Sequence, residues 1–180
     1  MRILVFDTET TGLPLKRNGS IDDSSNWPFI IQISWVIYDT YLKRNIEEYD
    51  QYIRLNGITI SEKSIEIHGI TEEVLENKGI CIKIALEEFR KAILKCDLLV
   101  GHNIDFDKSI ILAEGHRNGV EILFDKKEYC TMKRGSKGQY LNLGKLYEKL
   151  FGVLPDNLHN SKRDVEVCLQ CFLEMKKNRH

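Results

Sequence analysis

An α/β fold is what the order of elements predicts. Three observations carry it: an unbroken apolar first strand, an early pair of strands joined by a short link, and a later alternation of helical and strand patterns. Residues 3–6 (ILVF) are continuously apolar rather than alternating, the pattern of a central strand covered on both faces. The run stops at Asp7 and Glu9, two carboxylates one residue apart. On an extended backbone they share a face while Thr8 points away, so both reach one point outside the sheet. Two anions held together repel unless a cation is shared. Hard divalent ions such as Mg²⁺ or Mn²⁺ suit carboxylate oxygens and keep positions for water and phosphate, so the two readings of this stretch are a metal-assisted phosphoryl site and a turn, for which Asp, Thr and Gly are common formers.

Size and composition bound the rest. At 180 residues and 21.0 kDa, with neither a linker nor a repeat, the chain suits one domain over residues 1–180. A hydrophobic share of 42% and a charged share of 29% are ordinary for a globular protein, and no apolar stretch is long enough to span a bilayer. The start MRILVFD has neither a basic leader nor a cleavage site, and five cysteines at irregular spacing fit a reducing compartment, so a cytoplasmic location is expected. Cys81, Cys96 and Cys130 read as structural, and Cys168 and Cys171 as core positions of an apolar helix. A net charge of −1 and a pI near 6.5 exclude a broad basic footprint for coating DNA, so any nucleic-acid contact is local or metal-mediated.

Residues 14–28 (PLKRNGSIDDSSNWP) are polar, bounded by prolines and without period, which reads as a mobile loop leaving the Asp7–Glu9 end. Lys16, Arg17 and Trp27 are its candidates for meeting a phosphate or base. Residues 29–38 and 47–55 are β-branched and aromatic, and predict an antiparallel hairpin. A helix follows Ser61, and Thr71-Glu72-Glu73 opens another. His68 falls at the turn between them, where a backbone-bonded helix end and a substrate contact are equally good readings. Residues 82–94 predict an amphipathic helix with Ile84, Leu86, Phe89, Ile93 and Leu94 buried.

Residues 97–100 predict a short strand, followed at once by GHNIDFD and a helix to about Arg117. Ligands bind outside the carboxyl ends of strands in open α/β sheets, so Asp105 converges on Asp7 and Glu9 if the two strands are neighbours; alternatively Asp105 or Asp107 caps the helix. Residues 128–132 predict a further strand, and residues 134–139 (RGSKGQ) a flexible connector without P-loop spacing. Residues 141–151 predict a helix with Leu143, Leu146, Tyr147, Leu150 and Phe151 inward, stopped by Gly152. Before the last helix, Ser161 and Asp164 fit a capping box, which leaves His159 unexplained. If Asp164 instead faces the sheet end, His159 lies over the same spot, and a neutral imidazole suits proton removal from water near neutral pH. The basic end, residues 176–180, either touches nucleic acid or is solvated.

Together these residues resemble the DEDDh branch of the 3′ to 5′ exonuclease superfamily, which includes the epsilon proofreading subunit of bacterial replicative polymerases. FDTETTG resembles the first motif, with Asp7 and Glu9; GHNIDFD the second, with Asp105; HNSKRD the HxxxxD third, with His159 and Asp164. IHGIT and LNLGKLYEKLFG are similar to further family features, and the resemblance runs from Arg2 to about Met175. Alanine is common in the family where Ser161 stands, and the 14–28 loop has no counterpart that can be mapped.

The resemblance implies an RNase H-like fold, a five-stranded mixed sheet flanked by helices with the Asp7 strand central. It also implies that Asp7, Glu9, Asp105 and Asp164 hold two Mg²⁺ (or Mn²⁺) ions and that His159 is the general base, releasing nucleoside 5′-monophosphates from DNA 3′ ends. Thr10, Leu13 and His68 would hold the last nucleotide, and Asn103 a sugar or phosphate. The implied partners are single-stranded or frayed 3′ ends of DNA, with RNA ends as the alternative and no membrane; action alone and action beside a polymerase partner are both open readings. An exoribonuclease of the same superfamily, a catalytically silent 3′-end-binding subunit and a structural Ca²⁺ site are the competing readings.

Overall fold

The computed structural model describes residues 1–16, 19–135 and 140–177. Arg17, residues 136–139 of the Gly-rich connector and the 178–180 end of the basic tail lie outside the described residues. β1 (Arg2–Thr10) is the middle of five strands, with β2 (Ile30–Asp39) and β3 (Arg44–Tyr52) to one side and β4 (Leu98–Gly101) and β5 (Lys127–Cys130) to the other. β1 and β2 pair antiparallel, as do β2 and β3, whereas β1, β4 and β5 run parallel, so the sheet is mixed. The early hairpin and the central first strand are therefore as the sequence predicts.

Both faces of the sheet are covered, which is why residues 3–6 are apolar without a break. Leu4 and Phe6 pack with Leu86 and Phe89 of α3 (Ile82–Leu94) and Ile110 and Ile111 of α4 (Ile104–Asn118). Ile3 and Val5 face the other way, against Leu146 of α6 (Leu143–Phe151) and Val165, Cys168 and Phe172 of α7 (Ser161–Lys177). Between β3 and α3, α1 (Glu62–His68) and α2 (Glu72–Lys78) build a smaller cluster from Ile60, Ile70 and Leu75 with Ile31 of β2. Ser61 caps α1 and Thr71 caps α2 through their hydroxyls, and Gly69 takes the left-handed turn between them at φ 70°. No helix among the described residues is long and apolar enough to cross a membrane.

Several local expectations change. The buried stripe of α3 is Ala85, Leu86, Phe89, Ala92 and Ile93, a regular helical spacing, and it leaves Ile84 56% and Leu94 72% exposed at its margins. Small alanines hold the stripe while the two larger aliphatics flank it. Phe151 is likewise at the exposed end of α6, and Cys81 is exposed just before α3. Thr131 and Met132 begin α5 (Thr131–Gly135) instead of extending β5.

The 14–28 segment is fastened among its described residues rather than loose. Asn26 accepts from the Lys16 amide (2.7 Å) and donates to the Lys16 carbonyl (3.0 Å), and the Leu15 amide donates to the Asn26 carbonyl (2.9 Å). Trp27, expected to meet a base, is buried and donates from Nε1 to the Ser20 carbonyl at 2.9 Å.

Candidate active site

The first strand does not end at its carboxylates. β2 pairs with β1 as far as Thr10, so Asp7 stands opposite Ser34 and Glu9 opposite Gln32, while β4 leaves β1 after Val5 pairs with Val100. The short parallel partner thus uncovers one edge of β1 just where the acids begin. Asp7 and Glu9 lie on the α7 face and Thr8 on the α4 face, as the period of two requires.

Asp105 does not reach this edge. It is exposed on the first turn of α4 and ion-paired with Lys133 of α5. Asp107, considered in the sequence only as a helix cap, takes its place: it is 3% exposed, and its Oδ1 accepts from the Thr8 amide (3.0 Å) and the Thr8 hydroxyl (2.8 Å). Neither acid caps α4, whose cap position is Asn103 in a left-handed conformation at φ 64°. Asp107 shares the inward stripe of the helix with Ile104, Ile110, Ile111 and Glu114, a periodicity present in the sequence that would have selected it over Asp105.

Asp164 arrives from the first turn of α7. One oxygen of Asp7, Glu9 and Asp164 each lies within 4.8 Å of the others. The expected capping box is not formed. Asn160 receives the Arg163 amide at 3.4 Å, Asp164 Oδ2 receives the His159 amide at 3.3 Å, and Asp164 Oδ1 is buried without a hydrogen-bond partner among the described residues. Ser161 is fully buried and joins its hydroxyl to that of Ser34 (2.6 Å) and its amide to Gln32 Oε1 (3.3 Å), while Gln32 and Ser34 both donate to Asp50 at 2.8 Å. This network, which the sequence did not signal, fastens the start of α7 to the β2 positions opposite Asp7 and Glu9.

His159 is exposed, at φ 70°, and its charge acts on both Asp164 and His68, so the two histidines border the same space. His68 Nδ1 accepts from the Ile70 amide (3.0 Å), which leaves Nε2 buried and unpartnered among the described residues. Burial lowers its pKa, partly countered by the Thr10 carbonyl beside it and lowered again by His159. Thr10 is buried with its hydroxyl on the Gly12 carbonyl (2.6 Å), and Leu13 stands 81% exposed beyond. Ser64 of α1 donates to the Thr11 carbonyl (3.1 Å), tying the His68 helix to the strand end. Asn103 is exposed and lines a groove of about 810 Å³ together with Asp105, Phe106 and Lys133.

The electrostatics are those of a site short of positive charge. Burial, then Asp107, Asp164 and Glu9, push the Asp7 carboxyl well up. Burial, then Asp164 and Asp107, raise Glu9 to about 8. Burial raises Asp107 to about 7 against its Thr8 bonds, and Asp164 to about 6 against His159. Four acids, Asp107 buried and the other three half-buried, with raised pKa values and one orphaned oxygen are the donor set of a hard divalent cation, and these residues fit one.

A sequence profile of the Exonuclease family (RNase_T) matches residues 4–172. Two curated relatives, both DNA polymerase III PolC-type, come from Thermotoga petrophila and Thermotoga maritima and are each 32% identical, over 179 and 178 residues. Each alignment covers 94% of this chain and 11% of the relative, so the chain spans about a tenth of their length. Among solved structures, the zinc-bound complex of E. coli exonuclease I with single-stranded DNA has a TM-score of 0.75 at 17% identity, covering 99% of this chain and 41% of that one. The nuclease domain of 3′hExo, a DEDDh family member bound to rAMP, has a TM-score of 0.74 at 14% identity, covering 99% and 92%.

Proposed function

The chain belongs to the exonuclease family, and from that premise we propose that it works as a DEDDh 3′ to 5′ exonuclease, removing nucleoside 5′-monophosphates from DNA 3′ ends. The observation that carries this reading is the clustering of Asp7, Glu9 and Asp164 where β4 leaves β1, with Asp107 of α4 bonded to the intervening Thr8 and acting on the Asp7 charge. Family chemistry calls for a divalent metal. These four acids would hold two Mg²⁺ or Mn²⁺ ions, which supply Lewis-acid activation and neutralise charge on the phosphate. Asp107 replaces Asp105 in the proposed set.

His159, exposed and left-handed at the mouth, takes a proton from the attacking water. Because His68 Nδ1 accepts from the Ile70 amide, Nε2 carries the ring proton and donates a hydrogen bond to the last nucleotide, and Leu13 offers its exposed side chain to the terminal base. Thr10 holds the backbone beneath that base, and Asn103 meets sugar or phosphate. Similarity to a segment of PolC-type polymerases supports a proofreading or repair role beside a polymerase, in the cytoplasm.

The test is digestion of matched 5′-labelled DNA and RNA strands with Mg²⁺. DNA shortens from its 3′ end with monophosphate products, and RNA is cut more slowly. Asp7→Ala or excess EDTA stops turnover, and His159→Ala loses ~100-fold or more while still binding Mn²⁺. Full turnover in EDTA, or release from the 5′ end, overturns the proposal.

A further inference from the structure

Arg117 lies ten residues beyond Asp107 on α4, about 15 Å along the axis at 1.5 Å per residue, away from the carboxylates. Its guanidinium donates to the carbonyls of Ser24, Trp27 and Pro28, the last at 3.0 Å, and lies 4.1 Å from the centre of the Phe29 ring. Glu114, 4% exposed in its side chain, pairs with it at 3.2 Å and also accepts from the Ile30 amide (3.1 Å) and from Asn118 (3.0 Å). One planar fork thereby fixes the end of the 14–28 segment, and the Thr11 amide and hydroxyl join the Phe29 carbonyl and amide at 2.9 and 3.0 Å.

What the fork holds is a wall. Pro14, Ile21 and Trp27 of this segment line the 810 Å³ groove together with Asp105 and Phe106 of α4, and with Tyr140. Phe106 is the chain neighbour of Asp107 on α4, and the lining combines aromatic faces, which stack on bases whatever their sequence, with the Lys133 ammonium paired to the Asp105 carboxylate of the same groove.

We propose that Arg117 is a positioning residue that sets this wall, and that the groove takes nucleotides upstream of the terminal one. This rests on the exonuclease reading. Arg117 then governs how far the enzyme prefers a strand over a substrate that fills the terminal site alone.

The experiment compares a DNA strand of about ten nucleotides with the p-nitrophenyl ester of thymidine 5′-monophosphate. Arg117→Met alone leaves Glu114 buried and unpaired, so Glu114→Gln/Arg117→Met is made beside it, together with Arg117→Lys, which keeps the charge without the fork. The preference for strand over ester falls about tenfold in both Met variants, through KM for the strand, and Arg117→Lys does not restore it. Tyr140→Ala, at a site 77% exposed and thus no threat to folding, raises the strand KM in the same direction. Equal losses on both substrates, or an unchanged strand KM in Tyr140→Ala, overturns the inference. A parent protein that cuts neither substrate defeats the exonuclease reading itself, whereas a parent that cuts both while every variant keeps its preference defeats only the role of Arg117 and the groove.

Discussion

Asp105 and Asp107 are two positions apart on one helix, which is about 200° of rotation at 3.6 residues per turn. That angle puts one carboxylate beside a solvent-facing lysine and the other on the amide of Thr8. Distance from the strand end selects Asp105; helical period selects Asp107, because Ile104, Ile110 and Ile111 mark the inward stripe. The second criterion is the sounder one once a helix begins at once after the strand. Asp107→Asn is expected to lower kcat/KM by ~100-fold or more, and Asp105→Asn by no more than about threefold. Steady-state kinetics on one DNA strand decides it, and comparable losses in the two variants would remove Asp107 from the proposed site.

At the scale of elements, α7 does two jobs with its first turn. Asp164 is presented to the carboxylate cluster while Ser161, three residues earlier, is anchored through Ser34, Gln32 and Asp50. The sequence makes Asp164 and His159 visible as HxxxxD but hides the anchor, because which β2 side chain faces the helix depends on strand register and on two chain segments more than a hundred residues apart. Ser161→Ala removes a buried hydroxyl bond yet leaves Ser34 its bond to Asp50. The expected cost is about 1 kcal/mol, or a Tm lower by roughly 2–4 °C for a chain of this length. Thermal unfolding checks it, and a Tm equal to the parent's would show that the hydroxyl pair contributes nothing. The 14–28 segment illustrates the same limit: its composition reads as loose, and only tertiary partners such as Arg117 reveal that it is held.

For the molecule as a whole, the site is a source of instability that a cation relieves. The folded chain keeps carboxyl groups protonated, with Glu9 near 8 and Asp107 near 7, that the unfolded chain ionises near 4. Between those values the native state binds more protons, so this contribution to stability is full below about pH 4 and is lost as pH rises through 8. Without divalent metal the Tm is therefore expected to fall from pH 5 to pH 8, and to fall less in Asp7→Asn/Glu9→Gln. Mn²⁺ raises it more at pH 8 than at pH 6, where protons compete for the same oxygens. Calorimetry across that range checks the sign, and parallel slopes in parent and variant would refute it. The doubly covered first strand and the early hairpin were readable from apolar runs and element order, since those patterns are local, whereas the five-stranded sheet came from the resemblance and the convergence of acids depends on where one strand stops. β4 has four residues. Lengthening it would let more β1 amides find sheet partners and would squeeze out the helix acid that now claims Thr8, so a graft that adds residues there should melt later and digest nothing.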